Sequence, residues 1–293
     1  MATSNNQPCI SVVTPSYNQE EFICDNLKSI KNQNYSNVEH LVFDGQSTDD
    51  TVDKLQCYET KYNLKWVSEE DNGQSEAINK GFRNAEGEII GWLNSDDVYF
   101  DDQVLNRVAR YFSICQADII YGDIALISED SKVISIEPAF EFDYNDLCYN
   151  NPIRQPAVFF RKSVVKNHLL DEELDYTMDY EYWMRLASKY EFMNVSDVLS
   201  GFRVHQEQKT SNENKHNHPE RYEILSRHGL SNKQLPPLEF LEREMTRITT
   251  GAKHAINCKS EVELAFDGGF QSLPTILLNL TPIGMRLNDP RKK

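Results

Sequence analysis

Through the first 120 or so positions, short apolar runs rich in β-branched residues alternate with stretches whose apolar residues recur every three or four places. The short runs predict strands at Cys9–Thr14, Val38–Phe43, Leu64–Val67, Glu88–Leu93 and Asp118–Tyr121. The periodic stretches predict helices. Glu20–Asn32 puts Ile23, Leu27 and Ile30 on one face, with Asn18 placed as an N-cap. Thr51–Tyr62 and Ser75–Ala85 follow, and a fourth helix after Asp101 aligns Val104, Leu105, Val108 and Phe112.

Such alternation argues for an α/β chain with a largely parallel sheet, in which ligands sit at the carboxyl ends of the strands. After Tyr121 the pattern changes. Asp123–Glu137 reads as a hairpin turning at Glu129-Asp130-Ser131, Ala157–Arg161 as a buried strand, Tyr180–Tyr190 as an aromatic-rich helix and Val198–Val204 as a further strand. From Gln206 to Arg221 no strong apolar residue occurs, which predicts an exposed linker. Beyond it, Leu238, Leu241, Met245, Ile248, Ala252 and Ala255 mark a helix with one apolar face. The expected division is a domain over residues 1–210, then a polar linker and C-terminal helical extension over residues 211–293.

Composition narrows the function. With 39% hydrophobic residues and 11% aromatics the chain can bury a sizeable core. No apolar run approaches bilayer length, and the opening MATSNNQPC lacks the apolar stretch of a secretory signal. A net charge of −16 repels nucleic-acid phosphates and anionic lipid. Six dispersed cysteines without a CxxC pair read as free thiols in a reducing, cytoplasmic setting. The tail, apolar from Phe266 to Met285 and ending in Arg286, Arg291, Lys292 and Lys293, is compatible with peripheral association at an inner membrane face.

The candidate chemistry lies at the strand ends. Strand one runs into Thr14-Pro15-Ser16-Tyr17-Asn18, strand two into Asp44-Gly45-Gln46-Ser47-Thr48-Asp49-Asp50, and strand four into Asn94-Ser95-Asp96-Asp97. Asp44-Gly45 alone is a common turn, and Ser47 or Thr48 would cap any helix. Asp96-Asp97 is more specific. Adjacent carboxylates after a buried strand repel each other unless a cation or hydrogen-bond donors neutralise them, and such oxygens suit Mg²⁺ or Mn²⁺ held with substrate phosphates.

Taken in order, ISVVTPSYN, FDGQSTDDT, EEDNGQSEAINKGFRNAEGEIIGWLNSDDVYF, YGD, QPAVFFR, MDYEYWMRLA and FRVH resemble the family 2 glycosyltransferases over about residues 8–210. The resemblance implies a GT-A fold: Rossmann-like, with a mixed, mostly parallel sheet and flanking helices. It implies an inverting transferase that moves a sugar from a nucleotide-diphosphate donor to an acceptor hydroxyl on a glycan or lipid-linked sugar. Thr14, Pro15 and Tyr17 match the segment around the nucleobase, and Asp44 the carboxylate that accepts a hydrogen bond from the base, which favours a UDP-sugar. Asp96 matches a position near the ribose, Asp97 a ligand of Mg²⁺ or Mn²⁺, and His205 a histidine that some relatives aim at the metal or diphosphate. Asp179 matches the base that takes the acceptor proton, with Glu181 as the second choice; Met178 stands where relatives often have Glu. Gln155 falls on the acceptor side. Relatives often carry Arg where Ile78 stands, leaving Lys80 or Arg83 to supply positive charge near the diphosphate.

Rival readings fit less well. A dinucleotide-dependent oxidoreductase needs a Gly-rich turn after strand one, and TPSYNQ contains no glycine. A sugar nucleotidyltransferase needs a Gly-rich, basic loop at the same place. A catalytically inactive nucleotide-sugar or glycan-binding module would be marked by loss of Asp97 or Asp179, and both are present.

Overall fold

The computed structural model describes residues 7–206, 208 and 219–230. In chain order the elements are β1 (Ile10–Ser16), α1 (Ile23–Lys31), β2 (Val38–Asp44), α2 (Thr51–Tyr58), β3 (Leu64–Ser68), α3 (Gln74–Asn84), β4 (Ile89–Trp92), β5 (Val98–Tyr99), α4 (Val104–Ile114), β6 (Ile119–Ile127), β7 (Val133–Glu137), β8 (Val158–Arg161), α5 (Lys162–Asn167), α6 (Met178–Ala187), β9 (Phe192–Arg203) and α7 (Pro219–Arg227). They build a mixed, mostly parallel sheet ordered β3-β2-β1-β4-β8-β6-β9-β5, with β7 paired to β6. Strands β1 to β4 are parallel to one another, and β8 enters antiparallel between β4 and β6.

Side chains alternate across this sheet with the period of two that strand geometry imposes. Val13, Ile90, Trp92, Ile119, Tyr121, Val158 and Phe160 face a core closed by Ile78 and Phe82 of α3, Val164 and Val165 of α5, and Tyr182 to Met184 of α6. Ile10, Val12, Ile89, Ile120, Ile124 and Phe159 face the opposite core, closed by Ile30 of α1 and Val104, Leu105, Val108 and Phe112 of α4. Burial on both faces is why these strands read as nearly continuous apolar runs. Helix α3 lies so close to β1 that a Cβ at Gly81 would fall 2.1 Å from Val13 Cγ1, so the helix can seat there only with glycine.

Several expectations shift. The strand expected at Val198–Val204 begins at Phe192, and Asp118–Tyr121 is the start of the nine-residue β6, since pairing on both sides extends each beyond its apolar core. Helix α1 starts at Ile23 and is not capped by Asn18. Asn18 sits in the left-handed region (φ 50°) and joins two loops instead, its N–H donating to Ser47 Oγ at 2.8 Å and its Oδ1 accepting from Thr48 N at 2.9 Å. The buried body also continues past residue 210: Ile224 of α7 is fully buried in the same core as α3 and α6. The helix expected from Leu238 and the apolar tail from Phe266 lie outside the described residues. Among the described residues no helix is long and apolar enough to cross a membrane. Cys9, Cys24, Cys57, Cys115 and Cys148 are free.

One buried polar group makes folding pH-sensitive. His40 on β2 is fully buried, its ring nitrogens 2.7 Å from Tyr62 Oη and 2.9 Å from Thr14 Oγ1. Burial drives its pKa down to about 3, so the folded protein holds the ring neutral. The unfolded chain protonates it near 6.5 and binds the extra proton across the intervening range, so stability falls as pH drops below 6.5. Urea unfolding should register a loss of about 2.5 kcal/mol attributable to His40 between pH 7 and 4.5. The same titration on His40→Gln should be flatter over that window.

Candidate active site

The parallel strands end level with one another: Ser16 of β1 is in register with Asp44 of β2, and Asp44 with Ser68 of β3. Beyond these ends opens a cavity of about 1140 Å³, spacious enough for a nucleotide sugar. Pro15, Tyr17, Gly45, Asp71, Asp96 and Gln155 lie on its wall, together with Asp175 to Tyr180 from the start of α6. Tyr17 is 60% exposed there, a free aromatic face at the rim.

Asp96 and Asp97 diverge, although adjacent. Asp96 lines the cavity, with its Oδ2 3.1 Å from Nε2 of the buried His205, just beyond the end of β9. Asp97 points into the protein, 1% exposed, where its Oδ1 accepts from Arg203 N at 3.0 Å. Its Oδ2 meets no hydrogen-bond partner among the described residues. Burial, and after it the charge of Asp96, pushes the Asp97 carboxyl well above the usual carboxylate range. The turn carrying the pair is fixed by Arg203, whose fully buried guanidinium donates to Asp96 O (2.8 Å), Ser128 O (3.1 Å) and Ser131 Oγ (3.0 Å). Asn26 of α1 also binds this turn, donating to Asn94 O and Asp97 O.

Thr14 and Asp44 lie behind the cavity wall. Thr14 is fully buried against His40, and Asp44 is 1% exposed, accepting from Ser47 N at 2.9 Å and Ser68 Oγ at 2.7 Å. Asp44 therefore braces the β2–α2 turn, while Asp71 presents its carboxylate on the cavity surface. Asp71 packs against Gly45, where a Cβ would approach its Oδ2 to 2.9 Å, and burial raises its pKa. Asp71 lies in the stretch EEDNGQSEAINKGFRNAEGEIIGWLNSDDVYF that carries the family resemblance, but the sequence does not mark this residue, because an Asp before a helix also reads as a turn former.

Gln155 reaches the cavity with both ends of its amide engaged: Nε2 donates to Trp92 O at 2.8 Å and Oε1 accepts from Asn94 at 3.1 Å. Asp179, in the first turn of α6, is half-buried and opens onto the cavity, its Oδ1 accepting from Tyr180 N at 2.8 Å. Glu181 does not compete with it. That carboxylate is 6% exposed and bound at 2.8 Å through each oxygen to Arg185. Behind Asp179 the helix is held by stacked aromatics, Trp183 lying 5.9 Å from Phe160 and 6.4 Å from Trp92 between ring centroids. Lys80 is committed to Glu69 and Glu76, so the cationic side chains on the cavity wall are Arg154 and Arg221.

The model of the family described as "Glycosyl transferase family 2" matches residues 11–168. The chain belongs to this family. Among curated relatives, an uncharacterised glycosyltransferase of Rickettsia typhi is 26% identical over 72% of this chain and 69% of its own length, while the chain spans only 36% of a longer Rickettsia felis relative. The fold is shared with S. aureus TarS, solved in complex with UDP-GlcNAc (TM-score 0.62, 22% identity, 79% of this chain and 69% of that one). It is shared too with the mannosyltransferase PcManGT of Pyrobaculum calidifontis, solved with GDP-Man and Mn²⁺ (TM-score 0.56, 18% identity, 89% and 81%). The family 2 match ends before α6, so the placement of Asp179, His205 and α7 rests on this chain's own geometry.

The carboxylates on the cavity wall, Glu70, Asp71, Asp96, Glu137, Asp175 and Asp179, outnumber the cations Arg154 and Arg221. Asp96 and His205 place an oxygen and a nitrogen donor side by side, a pair that suits Mn²⁺ better than Mg²⁺, whose ligands are oxygens. Among the described residues no group of three or more His, Cys, Asp or Glu side chains converges.

The arrangement depends on Arg203. Arg203→Ala leaves the Asp96 and Ser128 carbonyls and the Ser131 hydroxyl without their buried donor and removes the positive charge beside Asp97, and should cost about 3–5 kcal/mol of unfolding free energy. Arg203→Lys, with one ammonium in place of the planar fork, should recover less than half of that in the same denaturant titration.

Proposed function

We propose that this glycosyltransferase moves a sugar from a nucleoside-diphosphate sugar, with a UDP-sugar favoured, to an acceptor hydroxyl on a glycan or lipid-linked sugar, inverting the anomeric centre. The observation that carries the reading is that Asp179 opens onto the same cavity as Asp96 from the opposite structural layer, one from a helix start and one from a strand end. The likeness in fold to two sugar-nucleotide complexes agrees with it.

In this reading the nucleobase lies against Pro15 and Tyr17, with Asp71 on the cavity surface and Asp44 behind it as the carboxylates able to accept a base N–H. Asp96 and His205 would hold the divalent cation; once bound, it neutralises the negative charge that builds on the departing diphosphate. Asp97 supports Asp96 from inside by fixing the strand that ends at Arg203. Asp179 takes the proton of the acceptor hydroxyl as that oxygen attacks the anomeric carbon. The new glycosidic bond forms while the bond to the diphosphate oxygen breaks, and the leaving nucleoside diphosphate keeps the electron pair. Direct displacement from the face opposite the leaving group inverts the configuration.

Asp179→Asn should bind donor nucleotide nearly as well as the parent, while turnover falls by roughly 10²–10⁴ because proton removal is lost. Turnover near the parental rate would remove Asp179 from the base role. Calorimetry with UDP, GDP and dTDP, each with and without Mn²⁺, tests the donor side. UDP should bind most tightly, lose affinity on chelation, and lose its Mn²⁺ dependence in Asp96→Ala. Tighter binding of GDP would overturn the uridine assignment.

A further inference from the structure

The residue that gathers the segment leading to Asp179 comes from the far end of the polar stretch, on α7. Its Glu220 carboxylate gathers four donors from the three residues that lead into α6. Oε1 accepts from Asp175 N at 3.1 Å; Oε2 accepts from Tyr176 N at 3.1 Å, Thr177 N at 2.9 Å and Thr177 Oγ1 at 2.8 Å. A helix start leaves backbone N–H groups without partners, and the N-cap side chain usually serves some of them. Here Thr177, at the N-cap of α6, makes no side-chain cap and gives its hydroxyl to Glu220 instead. Burial alone would raise the Glu220 carboxyl, but the bonds from Asp175, Thr177 and Tyr176 outweigh it and hold the group ionised below the usual range.

The rest of α7 fastens the same segment. The Arg221 guanidinium lies 4.4 Å from the ring centroid of Tyr180, the neighbour of Asp179, and donates to Cys148 O at 3.1 Å. Arg227 donates to Asp171 Oδ2 at 2.8 Å, at the near end of the loop, and Ile224 is sunk into the core.

We propose that Glu220 is a positioning residue for sugar transfer, a clamp that fixes the Asp175–Thr177 segment and thereby the aim of Asp179 into the cavity. The proposal rests on Asp179 being the base. A carboxylate presents acceptors alone, so it suits four donors; an amide of the same size turns two N–H groups toward them. Geometry at a reacting centre is steep, a displacement near 1 Å costing about a hundredfold in rate.

Glu220→Gln should therefore lower kcat by about ten- to a hundredfold while donor KM and Mn²⁺-dependent UDP affinity stay within about twofold. In an Asp179→Asn background the same change should cause no further loss, because Glu220 acts through Asp179. A kcat within about twofold of the parent overturns the proposal, as does an equal proportional loss in both backgrounds, which marks a general structural role. Should Glu220→Gln fail to fold, Thr177→Val decides: deleting one of the four bonds should cut kcat several-fold at unchanged donor KM, and an unchanged kcat overturns the clamp. Full turnover by Asp179→Asn would sink the base reading itself. An inactive Asp179→Asn beside a normal Glu220→Gln would sink the clamp alone.

Discussion

The guanidinium of Arg203 is the contact on which the site's geometry turns. A fully buried cation is tolerated only when acceptors surround it, because desolvation would otherwise outweigh any attraction. Here those acceptors come from separate parts of the chain: the carbonyl of Asp96, the β6–β7 turn at Ser128 and Ser131, and Asp25 of α1 at 3.5 Å. The backbone N–H of the same residue binds Asp97. Satisfying one side chain thus fixes the acidic turn, the hairpin and the end of β9 in one arrangement. His205 is two residues further on, so the brace that orders the turn also brings the imidazole to Asp96.

On the other side of the cavity a different physics operates. Asp179 is held by packing from behind, where Trp92, Phe160, Tyr182 and Trp183 crowd between α6 and the sheet, and by hydrogen bonds in front, where Glu220 gathers the helix start. Aromatic contact fixes the helix as a rigid body, while the carboxylate fixes the few residues that enter it. One carboxylate on a helix start and one on a braced strand end thus line the same cavity, each held by its own element.

Helix α7 alters the picture of where the functional unit ends. The expected linker from Gln206 to Arg221 is polar, and nothing in its composition distinguishes a solvated connection from a helix whose charged residues are all engaged. In the fold Glu220, Arg221 and Arg227 each find partners on the loop and helix that carry Asp179. At Glu220 and Arg221 polarity reflects specific pairing, a property composition does not carry.

Much of this is legible in the sequence alone. The two periods of apolar residues located β1 to β4 and α1 to α4, because strands buried on both faces and helices buried on one leave different marks. The ordered strand-end segments pointed to the family and to the cavity that holds Pro15, Tyr17, Asp96, Gln155 and Asp179. Local pattern could not decide which way adjacent side chains turn. Asp96 faces the cavity and Asp97 the core because β9, a hundred residues later, offers its N–H to one of them. Asp44 and Thr14 retreat behind the wall because Ser68 and His40, on neighbouring strands, claim their polar atoms. Such choices are settled by desolvation and pairing between elements distant in sequence, and only the tertiary structure brings those partners within reach.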